Sequence, residues 1–239
     1  MMRAQRTGVA AALACVLGIG CSPRADKALE ATERPPASSS APAPPPSRAA
    51  DRRPKIVVLG DSLTAGLGLN PDEAYPALLQ QRVDAAGLSY SVINAGVSGD
   101  TSAGGLSRLD WALEGNVRLL IVALGGNDGL RGLPAPELKK NLATIVERAQ
   151  GKHVTVILAG MEAPPNFGQD YIVSFRQVYS ELAAQYHVAI VPFLLEGVAG
   201  DEALNQRDGI HPTAEGARIV AGNVWRVLEP ILEKGRATR

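Results

Sequence analysis

The sequence predicts an α/β fold, a five-stranded parallel sheet covered by helices on both faces as a three-layer α/β/α sandwich. Three features predict it. Five short runs rich in Val, Ile and Leu recur along residues 54–239, each apolar throughout, as strands buried on both faces must be. Between them lie longer stretches with apolar residues at helical spacing. The two kinds alternate, and alternation builds parallel βαβ units.

In chain order, the first strand is Lys55-Ile56-Val57-Val58-Leu59-Gly60. Tyr75, Leu78, Leu79, Val83 and Ala86 then recur at helical spacing and stop at Gly87, a C-terminal signal. Strands are expected at 90–94 and 118–124. A helical pattern over 138–149 precedes a strand at 153–160, and another over 171–186 precedes a strand at 187–192. A last helix begins near Thr213, with Val220, Val224, Leu228 and Ile231 along one stripe. No internal repeat is present. The segment from Pro54 onward, roughly 185 residues, is long enough for a full core.

Composition sets outer limits. The 239 residues carry 24 Lys+Arg against 24 Asp+Glu, without the basic excess an electrostatic nucleic-acid binder needs. Two cysteines exclude a disulfide-dense scaffold and a four-cysteine zinc site. No apolar run of ~20 residues occurs, so no ordinary transmembrane helix is expected. The neutral total is a cancellation. Residues 1–53 hold eight Lys/Arg and four Asp/Glu, whereas 54–239 hold sixteen and twenty.

The basic part divides in two. Residues 1–20 read as a secretory signal: Arg3 and Arg6, then an apolar run from Val9 to Ile19, too short for a stable anchor. Leu17-Gly18-Ile19-Gly20-Cys21 resembles a bacterial lipoprotein signal, in which the Cys becomes the lipid-bearing first residue. That pattern prefers Leu three places before the Cys, where this chain has Gly18, so cleavage by the ordinary signal peptidase is the alternative. Export from a bacterial cytoplasm and membrane contact through lipid at Cys21 are the expectation. Cys15 would be removed, leaving no pair for an internal disulfide. Residues 21–53 form a Pro/Ala/Ser-rich linker; 22–53 hold seven prolines and no Phe, Trp, Tyr, Val or Ile. Such a segment cannot bury enough apolar surface to offset its conformational entropy, so a disordered tether is expected. The domain is 54–239.

In an open parallel sheet, chemistry sits in the loops after the strands. The first such loop is Gly60-Asp61-Ser62-Leu63-Thr64-Ala65-Gly66. Ser62 can stand at the mouth of a helix, where backbone N–H groups favour negative charge, a place suited to a nucleophile. A serine N-cap is the simpler reading of a lone Ser near Gly. A phosphate-binding loop would need a third glycine or Gly-Lys-Ser/Thr, both missing. The second loop, Asn94-Ala95-Gly96-Val97-Ser98-Gly99-Asp100-Thr101-Ser102, offers the Gly99 N–H; Ser98 is a rival nucleophile outside any Gly-x-Ser-x-Gly elbow. The third, Gly125-Gly126-Asn127-Asp128-Gly129, offers an asparagine amide, though Asn-Asp near Gly is commonly just a turn. After the fifth strand comes Asp208-Gly209-Ile210-His211-Pro212-Thr213. An Asp three residues before a His can hold one imidazole nitrogen and free the other as a base. His153 and His187 are expected to start strands. Together the loops supply a nucleophile, oxyanion donors, an orienter and a base, the parts for acyl transfer.

These blocks resemble, in order, those of the SGNH (GDSL-type) hydrolase family. Gly60-Asp61-Ser62-Leu63 is similar to its serine block, Gly99 to its glycine block, Gly125-Gly126-Asn127-Asp128 to its asparagine block and Asp208-Gly209-Ile210-His211-Pro212 to its Asp-x-x-His block. The resemblance covers 55–232. The stretches 98–102, 126–132 and 165–168 resemble the periplasmic acyl-CoA thioesterase I/lysophospholipase L1 and arylesterase branch. It implies a flavodoxin-like sheet of order 2-1-3-4-5. It also implies Ser62 as nucleophile, His211 as base and Asp208 as its orienter, with Ser62 N–H, Gly99 N–H and the Asn127 side chain in the oxyanion hole. The expected substrate is a small ester, thioester or lipid, with no metal, no organic cofactor and no nucleic-acid partner. A monomer in the periplasm, anchored at Cys21, is expected. Asp61 and Asp128 would fix the glycine loops. Leu63, Leu67, Leu69, Leu106 and Phe167 are candidates for an acyl groove, with core packing the commoner role. Acetyl-ester removal from envelope polysaccharide, a non-catalytic lipoprotein of the same fold, and a flavin or nucleotide binder are the competing readings.

Overall fold

The computed structural model describes residues 53–237. The expected leader, Cys21 and all of the linker but Arg53 lie outside the described residues. Five strands form one sheet: β1 (Lys55–Gly60), β2 (Ser91–Gly96), β3 (Val117–Ala123), β4 (Thr155–Ala159) and β5 (Ala189–Val191). All pairings are parallel and the order is β2-β1-β3-β4-β5, the order the resemblance implies. The chain leaves β1 toward one edge and returns to its other side with β3. The crevice between the two therefore opens at the carboxyl ends of the strands. The register makes that edge level: Gly60 lies beside both Gly96 and Ala123. Three loops thus leave the sheet side by side.

The helices are α1 (Ser62–Ala65), α2 (Tyr75–Ala85), α3 (Ser102–Ser107), α4 (Leu109–Ala112), α5 (Gly126–Leu130), α6 (Ala135–Gly151), α7 (Gln169–Tyr186) and α8 (Ala214–Ala237). α2 packs with α8, and α6 packs with α3 and α7. Ile56 to Leu59, Leu119 to Leu124 and Val156 to Ala159 are buried, which is why their sequences show no polar alternation. Truncating one of these side chains, such as Leu120 to Ala, costs about 2–5 kcal/mol. On α8, Val220, Val224 and Leu228 are buried as the stripe predicts, with Ala221 and Leu232 beside them and Ile231 half-covered.

The bounds of four strands differ from expectation. β2 begins one residue late and continues to Gly96, and β3 starts and stops one residue early. β4 and β5 start later, because His153 and His187 do not start strands. Both adopt left-handed backbone, φ 59° and 53°, and close the ends of α6 and α7. β5 also stops at Val191, since Pro192 has no N–H for the ladder. No helix among the described residues is long and apolar enough to cross a membrane.

Candidate active site

The site forms where the level strand ends release their loops. Asp61 caps α1, its Oδ1 accepting the Leu63 N–H at 3.0 Å, so Ser62 becomes the first helical residue. Gly66, left-handed at φ 77°, closes the turn through its N–H to the Ser62 carbonyl. A helix of one turn has little macrodipole. What it offers is its unsatisfied backbone N–H groups. Asp61 is only 2% exposed. Burial pushes its carboxyl up to about 6, against the opposing pull of the Leu63 N–H and His211.

The second loop is fastened to the first by the Val97 N–H, which donates to the Gly60 carbonyl at 3.0 Å. Gly99 sits at φ 86°, a backbone state that other residues resist. A Cβ there would meet nothing nearer than 3.9 Å. The glycine therefore supplies conformation more than clearance.

β3 delivers Gly125 and then Asn127 on α5. The Asn127 Nδ2 donates to the Asp100 carbonyl at 2.9 Å and lies 3.4 Å from Asp61 Oδ2. Asp128 is buried and accepts the Ser102 N–H at 2.8 Å and the Ser102 hydroxyl at 2.5 Å. Asn141 completes that network, donating to Ser102 Oγ at 2.9 Å. Both Asp61 and Asp128 thus brace glycine-containing loops.

The fourth loop closes on the first. Asp208 Oδ1 accepts the N–H groups of Ile210 and His211 at 2.9 and 3.0 Å, and Oδ2 lies 2.7 Å from His211 Nδ1. Those two backbone donors, followed by the imidazole, lower the Asp208 carboxyl to about 2. Asp208 is therefore anionic at neutral pH, which places the proton on His211 Nδ1 and leaves Nε2 as an acceptor. That Nε2 lies 2.8 Å from Ser62 Oγ, across 149 residues of sequence. Ser98 shares the cleft wall, but the imidazole is bonded to Ser62. Gln206, unmarked by any motif, stitches the two loops together. Its Nε2 donates to the Leu67 carbonyl at 2.7 Å and the Pro212 carbonyl at 2.9 Å.

Ser62 and His211 face a cleft of about 630 Å³, lined also by Gly99 and Asn127, a size typical of small-molecule sites. Its walls are mostly apolar. Leu63 and Leu67 line it as the sequence suggests, joined by Leu130, Met161, Phe193 and Leu195. Leu69 lines a small adjoining pocket, Leu106 packs on the core, and Phe167 packs against Tyr171 with ring centroids 5.4 Å apart and the rings tilted. A hydroxyl bonded to an imidazole, itself bonded to a carboxylate, is an arrangement that can generate an alkoxide-like nucleophile.

The chain is similar to proteins of known family. Residues 58–219 match the model of the GDSL-like lipase/acylhydrolase family. Over 178 residues the chain is 46% identical to the esterase TesA of Pseudomonas aeruginosa, covering 74% of this chain and 89% of the relative. It is 35% identical, also over 178 residues, to thioesterase 1/protease 1/lysophospholipase L1 of Escherichia coli K12, covering 74% and 84%. A crystal structure of TesA superposes with a TM-score of 0.71 at 46% identity, covering 74% of this chain and 98% of that one. On its fold, its strand-end loops and these relatives, the chain belongs to the GDSL-like lipase/acylhydrolase family, enzymes that hydrolyse esters.

Proposed function

We propose that the protein is a serine esterase and thioesterase that releases apolar acyl groups through an acyl-enzyme on Ser62. The single observation that carries the reading is the unbroken run from Asp208 Oδ2 to His211 Nδ1 at 2.7 Å and from His211 Nε2 to Ser62 Oγ at 2.8 Å. His211 takes the Ser62 proton as Oγ attacks the carbonyl carbon. The N–H groups of Ser62 and Gly99 and the Asn127 amide receive the oxyanion. The C–O or C–S bond then breaks, and His211 protonates the leaving alcohol or thiol. A water molecule repeats the cycle and frees the acid. No step involves a metal or organic cofactor. The apolar cleft favours acyl chains, and the names esterase and lysophospholipase among the relatives support ester and lipid substrates. Export and a lipid on Cys21 complete the reading; mass spectrometry of the mature N-terminus tests them.

The deciding experiment is a substrate panel on wild type and Ser62→Ala. It comprises short aryl esters, long acyl thioesters, lysophospholipids and acetylated sugars. A fluorophosphonate probe that labels wild type and not Ser62→Ala, with turnover lost in the variant, is the expected result. Equal turnover by both refutes the assigned nucleophile.

A further inference from the structure

Two oxyanion donors on different loops, the Gly99 N–H and the Asn127 amide, must converge on one point. Asp100 joins them. It directly follows Gly99, and its carbonyl receives the Asn127 amide at 2.9 Å. The Asp100 carboxylate is in turn held by Arg108, Nε to Oδ2 at 2.6 Å, with both side chains less than a fifth exposed. The same guanidinium reaches 48 residues back along the chain. Its Nη2 donates at 2.8 Å to the carbonyl of Gly60, two residues before Ser62. That carbonyl already accepts the Val97 N–H from the glycine loop. Arg108 therefore ties the serine loop and the glycine loop with one rigid fork.

Packing alone does not explain the fork. Arg108 Nη1 is buried with no hydrogen-bond partner among the described residues. Desolvating a guanidinium works against folding, and an apolar side chain of similar length would avoid that cost. What an apolar chain could not do is hold two acceptors at fixed separation, which a planar guanidinium does. Arg131 adds a looser hold from the surface, its Nη2 donating to the Gly99 carbonyl at 2.9 Å.

We propose that Arg108 is a positioning residue for the oxyanion hole. It acts through Asp100 and Gly60 to set the distance between the Ser62 loop and the donors of Gly99 and Asn127. The proposal rests on the serine-hydrolase reading above. Arg108→Lys keeps the charge beside Asp100 but lacks the planar fork that holds two acceptors at a fixed separation; Arg108→Met keeps only the length.

The test measures kcat and KM on a short aryl ester for both variants, alone and combined with Asn127→Ala, beside thermal melting. Arg108→Lys is expected to lower kcat about ten-fold and Arg108→Met about a hundred-fold, with KM within about two-fold. In the Asn127→Ala background the same changes are expected to cost no more than about three-fold, because one of the two donors they position is gone. A merely structural role would give the same fold-loss in both backgrounds, and that result overturns the proposal. Unchanged kcat in Arg108→Lys overturns it too, and this variant decides the matter if Arg108→Met does not fold. Ser62→Ala in the same assay separates the two readings. If it turns over like wild type, the serine-hydrolase reading fails and takes the Arg108 role with it. If it is inactive while the losses are additive, only the Arg108 role fails.

Discussion

Asp61 is a carboxylate almost out of solvent beside Ser62, and its elevated pKa has a measurable consequence. Its folded value, about 6, lies above the ordinary 3.8. The folded protein therefore keeps a proton that the unfolded chain releases between those values. Stability contributed by that proton is complete below pH 3.8 and is lost as the pH rises through about 6. The loss is at most ~3 kcal/mol. Asp61→Asn keeps an acceptor for the Leu63 N–H without the titration. Melting curves from pH 4 to pH 7 should show the variant gaining on wild type as pH rises; parallel curves would assign the effect elsewhere. Asp208 behaves oppositely, held low by backbone donors on an exposed loop, so it stays charged through the working range. Asp208→Asn would leave the imidazole without its anionic anchor, and kcat should fall roughly 10²–10⁴-fold with little change in melting temperature. The residue types of the site were legible in sequence, since Asp-Gly-Ile-His-Pro and Gly-Asp-Ser-Leu announce themselves. Arg108 and Gln206 were not, because a lone Arg or Gln carries no local signal of what it will touch.

Short elements do the positioning. α1, α3, α4 and α5 span four to six residues each, too few turns for apolar periodicity to register in sequence. Longer elements hold them in place. On α7, Phe175 and Tyr179 meet edge to face at i and i+4 with centroids 6.0 Å apart, and the Tyr179 hydroxyl donates at 2.9 Å to the Leu124 carbonyl. That carbonyl lies just before the Gly125-Gly126-Asn127 loop, and a side chain at Gly125 would run into the same hydroxyl. Tyr179→Phe should lower unfolding free energy by about 1–3 kcal/mol in urea titration, since a buried acceptor loses its donor. An unchanged midpoint would show that water replaces the hydroxyl. Likewise, the Tyr75 hydroxyl sits 2.7 Å from Thr64 Oγ1, joining α2 to the helix that carries Ser62. The spacing of Tyr75, Leu79 and Val83 announced α2; the polar bond to Thr64 had no counterpart in the pattern.

At the scale of the molecule, the cleft belongs to no single element. Leu63 and Leu67 come from the first loop, Leu130 from α5, Met161 from beyond β4, and Phe193 and Leu195 from beyond β5. Leu67 is 47% exposed, so Leu67→Asp should be tolerated by the fold. It should raise KM for a long-chain acyl ester about ten-fold while sparing an acetyl ester, because each buried methylene contributes ~0.8 kcal/mol. Equal KM changes for both esters would place the acyl chain elsewhere. The strands and their alternation with helices were determined by sequence alone, because burial on both faces leaves no choice but continuous apolar runs. The four loop motifs were determined there too, because glycine, serine and the Asp/His pair answer to local backbone and chemical demands. Only the tertiary structure decided that Gly60, Gly96 and Ala123 end level, that His211 reaches Ser62 across 149 residues, and that Arg108 spans two loops. Those facts depend on register and on contacts between residues far apart in the chain, and no local periodicity encodes either.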